Sequence, residues 1–444
     1  MVNLSDKFIE LLYARASGEL PPEVEREARN CLLDAIGCML GGSTVFGDRA
    51  RSYLHSLPKV KGVTVAGLDE KAAVQDAALW NGIFAHAFDI DDGDRRSSIH
   101  LGASIVPAVL AAAEWECAAM PQLLKGIAVG YEAAIRLGRC MQPSHRNRGF
   151  HASGTLGCIG AAMGVIALNG GSKEAFKNVL SAACSNAGGI LEAQENVSDM
   201  KPWNIGRAAA GGVNAAYFGL SGFTGPVDPL DGKFGFIHAY CDEWKPEMLE
   251  EDGNWSILGV YHKRHAACRH THGSVDAVLE LRRQIPAEQV DRLVIRMYKQ
   301  GIKGHDHTEI AGITAGKMSV PYCAAMAWVL GRTGIADFTE ENRVNPEILR
   351  ICKATEILED PELTAQAPGK RIAIVKAFLK DGSSVEKEMI FPVGEPENPM
   401  PEEAFRAKVG GMAAMSGKGE AEVEEILSTA LNSTGSVWEL TELL

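Results

Sequence analysis

The stretch PEVEREARNCLLDAIGCMLGG (22–42) decides how the rest of the chain is read. Val24, Ala28, Leu32, Ala35, Ile36, Met39 and Leu40 recur at helical spacing, Pro21-Pro22 stands where a helix begins, and Gly41-Gly42 stands where one ends. The same pattern predicts helices over roughly 72–86, 104–118, 122–138, 155–169, 173–187 and 206–221, several with Gly or Ala along most of one face. Small faces let helices approach closely, so the expectation is a largely buried helical bundle.

Near residue 255 the character changes. After a helix at about 273–284, DRLVIRMY (291–298) alternates Leu293, Ile295 and Met297 on one face, and RIAIVKAFLKDGSSVEKEMIF (371–391) reads as two strands around Asp381-Gly382. Beyond FPVGEPENPMPEE the chain returns to helix and is expected to dock back on the first part. The fold class is therefore mainly α: a large all-helical domain of 1–256 plus 400–444, and a smaller α+β domain of 257–399. A length of 444 residues suits such a division.

Composition narrows the function. A formal charge of −13, with no basic stripe, argues against nucleic acid as a partner, while local cations such as Arg95, Arg96, Arg148, Lys201, Arg207, Lys263 and Arg269 would still draw a small anion into a pocket. The N-terminal segment carries acids and no uninterrupted apolar run, so neither a signal peptide nor a membrane span is expected, and a cytoplasmic location is. The ten cysteines include no C-x-x-C pair, which speaks against disulfides and against an iron–sulfur cluster.

Four polar clusters interrupt the apolar helices: HAFDIDDGDRRSSIHLGAS (86–104), RNRGFHASGTLG (146–157), DMKPWNIGRAAAGG (199–212) and RHAACRHTHGSVDA (264–277). Burying such groups costs several kcal/mol unless each finds a partner, so their recurrence points to a shared acid/base pocket. In the first, His100 is the leading candidate and Asp89 its orienting carboxylate or a substrate-positioning group. Asp91, Asp92 and Asp94 read equally as helix caps or as partners of Arg95 and Arg96, and a metal site lacks regular spacing. In the second, His151 precedes a helix start whose N–H groups suit a carboxylate, or is simply a polar cap. Lys201 must pair, snorkel or change its proton affinity beside an apolar helix, which fits a substrate carboxylate or a developing enolate better than a Schiff base. In the fourth, His265, His270 and His272 do not match zinc spacing, and His272 opens a helix as a pocket residue. The HDH at 305–307 reads as a surface loop. Tyr322, in the first turn of a helix beginning near Pro321, reads either as a pocket phenol or as a core tyrosine.

These segments, in this order, resemble the MmgE/PrpD family, which includes 2-methylcitrate dehydratase, cis-aconitate decarboxylase and iminodisuccinate epimerase. HAFDIDD (86–92), His100 to Pro107, GFHASGTLG (149–157), KPWNIGRAAAGGVNAAY (201–217), GFTGP (222–226), THGSVDA (271–277) and SVPY (319–322) carry the resemblance. It implies that the smaller domain is a lid, that the active site lies between the two, that the protein is a homodimer, and that no metal or organic cofactor is used. Carried over position by position, Asp89, His100, His151, Lys201, His272 and Tyr322 fall at the family's functional positions. Arg95, Arg96 and Arg269 are the further candidates for holding substrate. Many members have His-Pro in place of His100-Leu101, a hydroxyl residue near Gly93 and a His where Asn204 stands, which leaves the core set intact and alters the pocket wall.

The expected activity is that of a lyase dehydrating a citrate or 2-methylcitrate type of 2-hydroxy acid. Decarboxylation of cis-aconitate, epimerisation of an iminodicarboxylate, and a catalytically dead polycarboxylate-binding protein are the alternatives.

Overall fold

The helix predicted to stop at Gly41-Gly42 runs on without a break, as Pro22–His55. The two glycines are there for close approach. A Cβ on Gly42 would lie 1.9 Å from the carbonyl oxygen of Phe84, and one on Gly41 would lie 3.2 Å from the Met412 side chain. Two neighbouring helices press onto the middle of this one where a terminus was expected.

The computed structural model describes residues 3–194, 198–250 and 252–444. It is mainly helical, and it divides into two units. The larger comprises the chain up to Ala87, Asp91–Val260 and Glu402–Leu444. Its helices Val74–Ala85, Gly102–Trp115, Met120–Met141, Ala152–Asn169, Lys173–Asn186 and Met200–Leu220 follow the predicted pattern. The last starts six residues before its predicted start, which puts Lys201 in its first turn. Small residues set the spacing: a Cβ on Gly206 would meet the Leu79 carbonyl at 2.3 Å, and one on Gly212 the Ala161 side chain at the same distance. The unit also holds a two-residue strand pair, Val63–Thr64 with Lys71–Ala72. Helix Glu402–Met415 packs on Pro22–His55, where Lys408 pairs with buried Asp34 at 2.5 Å. Ala152–Asn169 has the length and apolarity to cross a membrane, but 94% of it is buried in the protein, as befits a core helix.

The smaller unit comprises Tyr261–Pro401 and the three residues Phe88–Ile90. Its four-stranded sheet has Val290–Met297 between Thr355–Glu359, which is parallel to it, and Ala373–Leu379, which is antiparallel. Ser384–Met389 completes the hairpin around Asp381-Gly382. Leu293, Ile295 and Met297 are fully buried on one face, in register with Ala377, Val375 and Ala373. Helix His272–Leu281 packs on the hairpin strands, and Val320–Leu330 packs on it in turn. All ten cysteines are free thiols.

Candidate active site

In the larger unit three polar clusters converge at helix ends. Helix Val74–Ala85 is capped at its C-terminus by His86, which is 2% exposed. The chain then turns back through residues 91–101 to start Gly102–Trp115. That turn is pinned at several points. Asp92 accepts from the Gly102 N–H at one oxygen and from the Tyr131 hydroxyl at the other, both at 2.7 Å. Asp94 accepts from the Ser97 N–H at 2.7 Å and from Arg139 at 3.1 Å. Ser153, at the start of Ala152–Asn169, accepts from the His100 N–H at 3.0 Å.

Asp91 is the centre of this group. Its Oδ1 lies 2.8 Å from His86 Nδ1, its Oδ2 lies 3.4 Å from His100 Nδ1, and the two imidazoles are 4.7 Å apart. Burial alone would raise the Asp91 carboxyl, but His86 and His100 outweigh it and hold it well below the usual carboxylate range. Burial pushes His86 down to about 4, with Asp91 opposing and Lys201 reinforcing the shift. The Nε2 of His86 is buried and meets no hydrogen-bonding partner among the described residues.

His151 is the N-cap of Ala152–Asn169 and is 3% exposed. Burial, then the charge of Lys201, then His86 and His100, hold it well below the ordinary imidazole range, so it is a neutral base at pH 7. The amide Nδ2 of Asn204 donates to the Ile190 carbonyl at 3.2 Å and lies 3.5 Å from His151 Nδ1. Lys201 is half-buried. His100, His151 and Lys201 are thus brought together within one unit. Arg95 and Arg96 lie on the turn closed by Asp94, the first buried and the second exposed.

In the smaller unit the polar groups are paired more tightly. Lys263 is fully buried, with its Nζ 2.6 Å from Asp89 Oδ1 and 2.7 Å from the Asp89 carbonyl. Asp89 has a left-handed backbone with φ +55°, so a non-glycine residue is held in strain there. Arg269 meets Glu395 at 2.8 Å and donates to His272 Nδ1 at 2.8 Å. His272 Nε2 is 3.2 Å from the Ala267 carbonyl, so both ring nitrogens are engaged inside the protein. Burial, then Arg269, keep His272 well below its usual range. Arg269, expected to hold substrate, is buried between Glu395 and the ring of His272. Tyr322 follows its N-cap Ser319, is 2% exposed, and has its phenol pushed well above the usual range by burial.

Within the larger unit Asp91, which the sequence left as a helix cap or a partner of Arg95 and Arg96, is set against His100. One sequence expectation needs correction. His305 is buried where a surface loop was expected. Its Nδ1 lies 2.8 Å from the Met318 carbonyl and its Nε2 faces Cys268 Sγ at 3.9 Å. Burial raises the Cys268 thiol, and His305 more than offsets this, leaving it at about 7. Ligand atoms of Cys268, His270 and His305 lie within 4.8 Å of one another, a donor set suited to zinc that spacing along the chain did not reveal. His86, Asp91 and Lys263 were all visible in the sequence but not chosen as site residues.

The imidazoles of His86 and His151, held below their usual range, the aspartate set between His86 and His100, and a nearby lysine thus form one polar cluster at these helix ends. The chain belongs to the MmgE/PrpD family: the MmgE/PrpD N-terminal domain matches residues 9–249 and the C-terminal domain residues 265–433. It is similar to a cis-aconitate decarboxylase of Aspergillus terreus (strain NIH 2624 / FGSC A1156), 27% identical over 97% of this chain and 93% of that protein. It is also similar to the human cis-aconitate decarboxylase, 24% identical over 92% of this chain and 88% of that protein. A cis-aconitate decarboxylase-like protein, oryM, of Aspergillus oryzae is 24% identical over 88% of this chain and 86% of that protein.

Proposed function

We propose that the protein is a cofactor-free lyase acting on a small polycarboxylate, by acid–base chemistry centred on His100, His151 and Lys201. The observation that carries this reading is the convergence of His100, His151 and Lys201 in one unit, with the buried His151 imidazole kept unprotonated by burial and by the charge of Lys201. A neutral imidazole can accept a proton from carbon, and a lysine cation can hold the carboxylate on which negative charge then develops.

In the dehydration of a citrate or 2-methylcitrate type of acid, one imidazole removes the proton beside a carboxylate. The C–O bond to the neighbouring hydroxyl breaks, and the leaving oxygen takes a proton and departs as water. His100 and His151 exchange the base and acid roles. Lys201 steadies the enediolate, and Arg95 and Arg96 are the further groups for substrate carboxylates. Asp89, His272 and Tyr322 assist with protonation or positioning.

A second reading is favoured by the names of the similar proteins. In the decarboxylation of a cis-aconitate type of acid, the C–C bond to one carboxylate breaks and carbon dioxide leaves. The electron pair shifts through the double bond, and an imidazolium supplies the proton to carbon. The same cation and proton donor serve both reactions.

Incubating the metal-stripped protein with citrate, 2-methylcitrate, cis-aconitate and iminodicarboxylates, followed by mass spectrometry and NMR, tests the proposal. Loss of water supports the first branch and loss of carbon dioxide the second. An unchanged formula with altered optical rotation means epimerisation, and binding without turnover means a binding protein. The proposal includes a homodimer in the cytoplasm, which light scattering and cell fractionation check.

A further inference from the structure

The geometry points to His86 as a positioning residue that holds Asp91 against His100, so that His100 presents Nε2 to the reaction. This adds a residue to the acid–base reading above and rests on it.

His86 is fixed at a helix end, and its Nδ1 is 2.8 Å from Asp91 Oδ1. Asp91 is ionised and can only accept, so His86 carries its proton on Nδ1 and donates it. The other carboxylate oxygen is turned to His100 Nδ1 at 3.4 Å, and the two rings meet edge to face at 62°. The main chain of His100 is already fixed by Ser153, and the turn behind it by Asp92 and Asp94. Asp91 is the group placed to set the remaining freedom, the rotation of the His100 ring. A carboxylate at Nδ1 favours the tautomer with the proton there and a basic Nε2, and steadies the ring when Nε2 takes a proton.

A neutral holder suits this task. An ammonium or guanidinium at position 86 would cancel the charge of Asp91, whereas a neutral imidazole fixes the carboxylate and leaves its charge to act on His100. The cations and titratable groups around the pair enter from several elements. They include Asp89 two residues back along the same turn, Lys201 and His151 at the starts of two helices, and Lys408 and Cys38 near Asp91.

The test compares His86→Asn, which keeps a donor near the position of Nδ1, with His86→Ala. We expect His86→Ala to lower kcat on the order of 10²-fold with KM nearly unchanged and to move the acidic limb of the pH–rate profile. We expect His86→Asn to recover most of the loss. Failure of Asn to rescue would assign the role to Nε2, and an unaltered profile in the Ala variant would remove it altogether; either overturns the inference. Histidine-selective nitrogen-15 NMR on the unliganded protein needs no turnover and so separates this inference from the functional reading. It should show His86 protonated at Nδ1 near pH 7, and His100 ring resonances at that pH that change in His86→Ala. A His86 protonated at Nε2, or His100 ring resonances that do not change, contradicts the inference.

Discussion

The histidine cluster of the larger unit treats buried charge differently from the pairs of the smaller unit, although the larger unit holds tight pairs of its own, Lys408 with Asp34 and Arg136 with Glu132. In the smaller unit Lys263 meets Asp89, His265 meets Asp276 and Arg269 meets Glu395, at 2.6 to 2.9 Å. These pairings hold side chains still. In the larger unit one aspartate is shared by two imidazoles, a buried ring nitrogen of His86 faces no partner among the described residues, and the charge of Lys201 suppresses the protonation of His86 and His151. Such an arrangement is expensive to bury unless something else completes it, and in the function proposed above a substrate carboxylate has that role.

The largest expected effect follows from that contrast. Lys201→Ala and His151→Ala should each lower kcat by about 10²–10⁴-fold on a confirmed substrate while barely moving the melting temperature. A large loss of stability with retained turnover would reverse the assignment of the two units. Next is the smaller unit's buried pair. Arg269→Met strands Glu395, which is 1% exposed, and should destabilise the protein by roughly 3–5 kcal/mol in denaturant titration. Glu395→Gln/Arg269→Met together should recover much of this.

Acid should act through the buried imidazoles of both units. His86 has a folded value of about 4 against 6.5 for a free imidazole. The unfolded chain therefore takes up a proton in this window and the folded chain does not. Stability is fully present above pH 6.5 and falls as pH drops toward 4, by about 3 kcal/mol for this residue at about 1.4 kcal/mol per unit. His151 and His272 act in the same direction, and Asp91 adds a loss at still lower pH. His86→Asn should flatten the decline between pH 6.5 and 4 in melting curves. The smallest effect is expected in the smaller unit's assisting groups. Tyr322→Phe should lower kcat by less than the roughly 10²-fold that marks a principal acid or base. A greater loss would move the chemistry toward that unit.

Much of this architecture is legible in the sequence, because apolar periodicity and small faces survive folding as helices and close contacts. Leu293, Ile295 and Met297 alternate in sequence and are buried together in the sheet. Gly41-Gly42 misleads, since glycine serves both to end a helix and to admit a neighbour, and only packing against Phe84 tells the two apart. The place of Asp91 among the carboxylates of HAFDIDD is hidden for a different reason. A left-handed backbone at Asp89 breaks any regular period there, sending that carboxylate to Lys263 while Asp91 turns to His86. The burial of His305 depends on residues 268 and 318, far along the chain, and nothing local announces it.

The central claim is that imidazoles of the larger unit take or deliver a proton at carbon beside a carboxylate. The most direct measurement is NMR of the substrate panel in deuterium oxide with wild-type protein, His151→Ala and Lys201→Ala, all metal-stripped. The account predicts, with wild type, deuterium at one carbon of the product where carbon dioxide is lost and a slowed reaction of substrate deuterated beside the carboxylate where water is lost, and at least a hundredfold slower turnover in the two variants. Loss of carbon dioxide without deuterium at carbon, loss of water with no isotope effect, or equal turnover by all three proteins would contradict it.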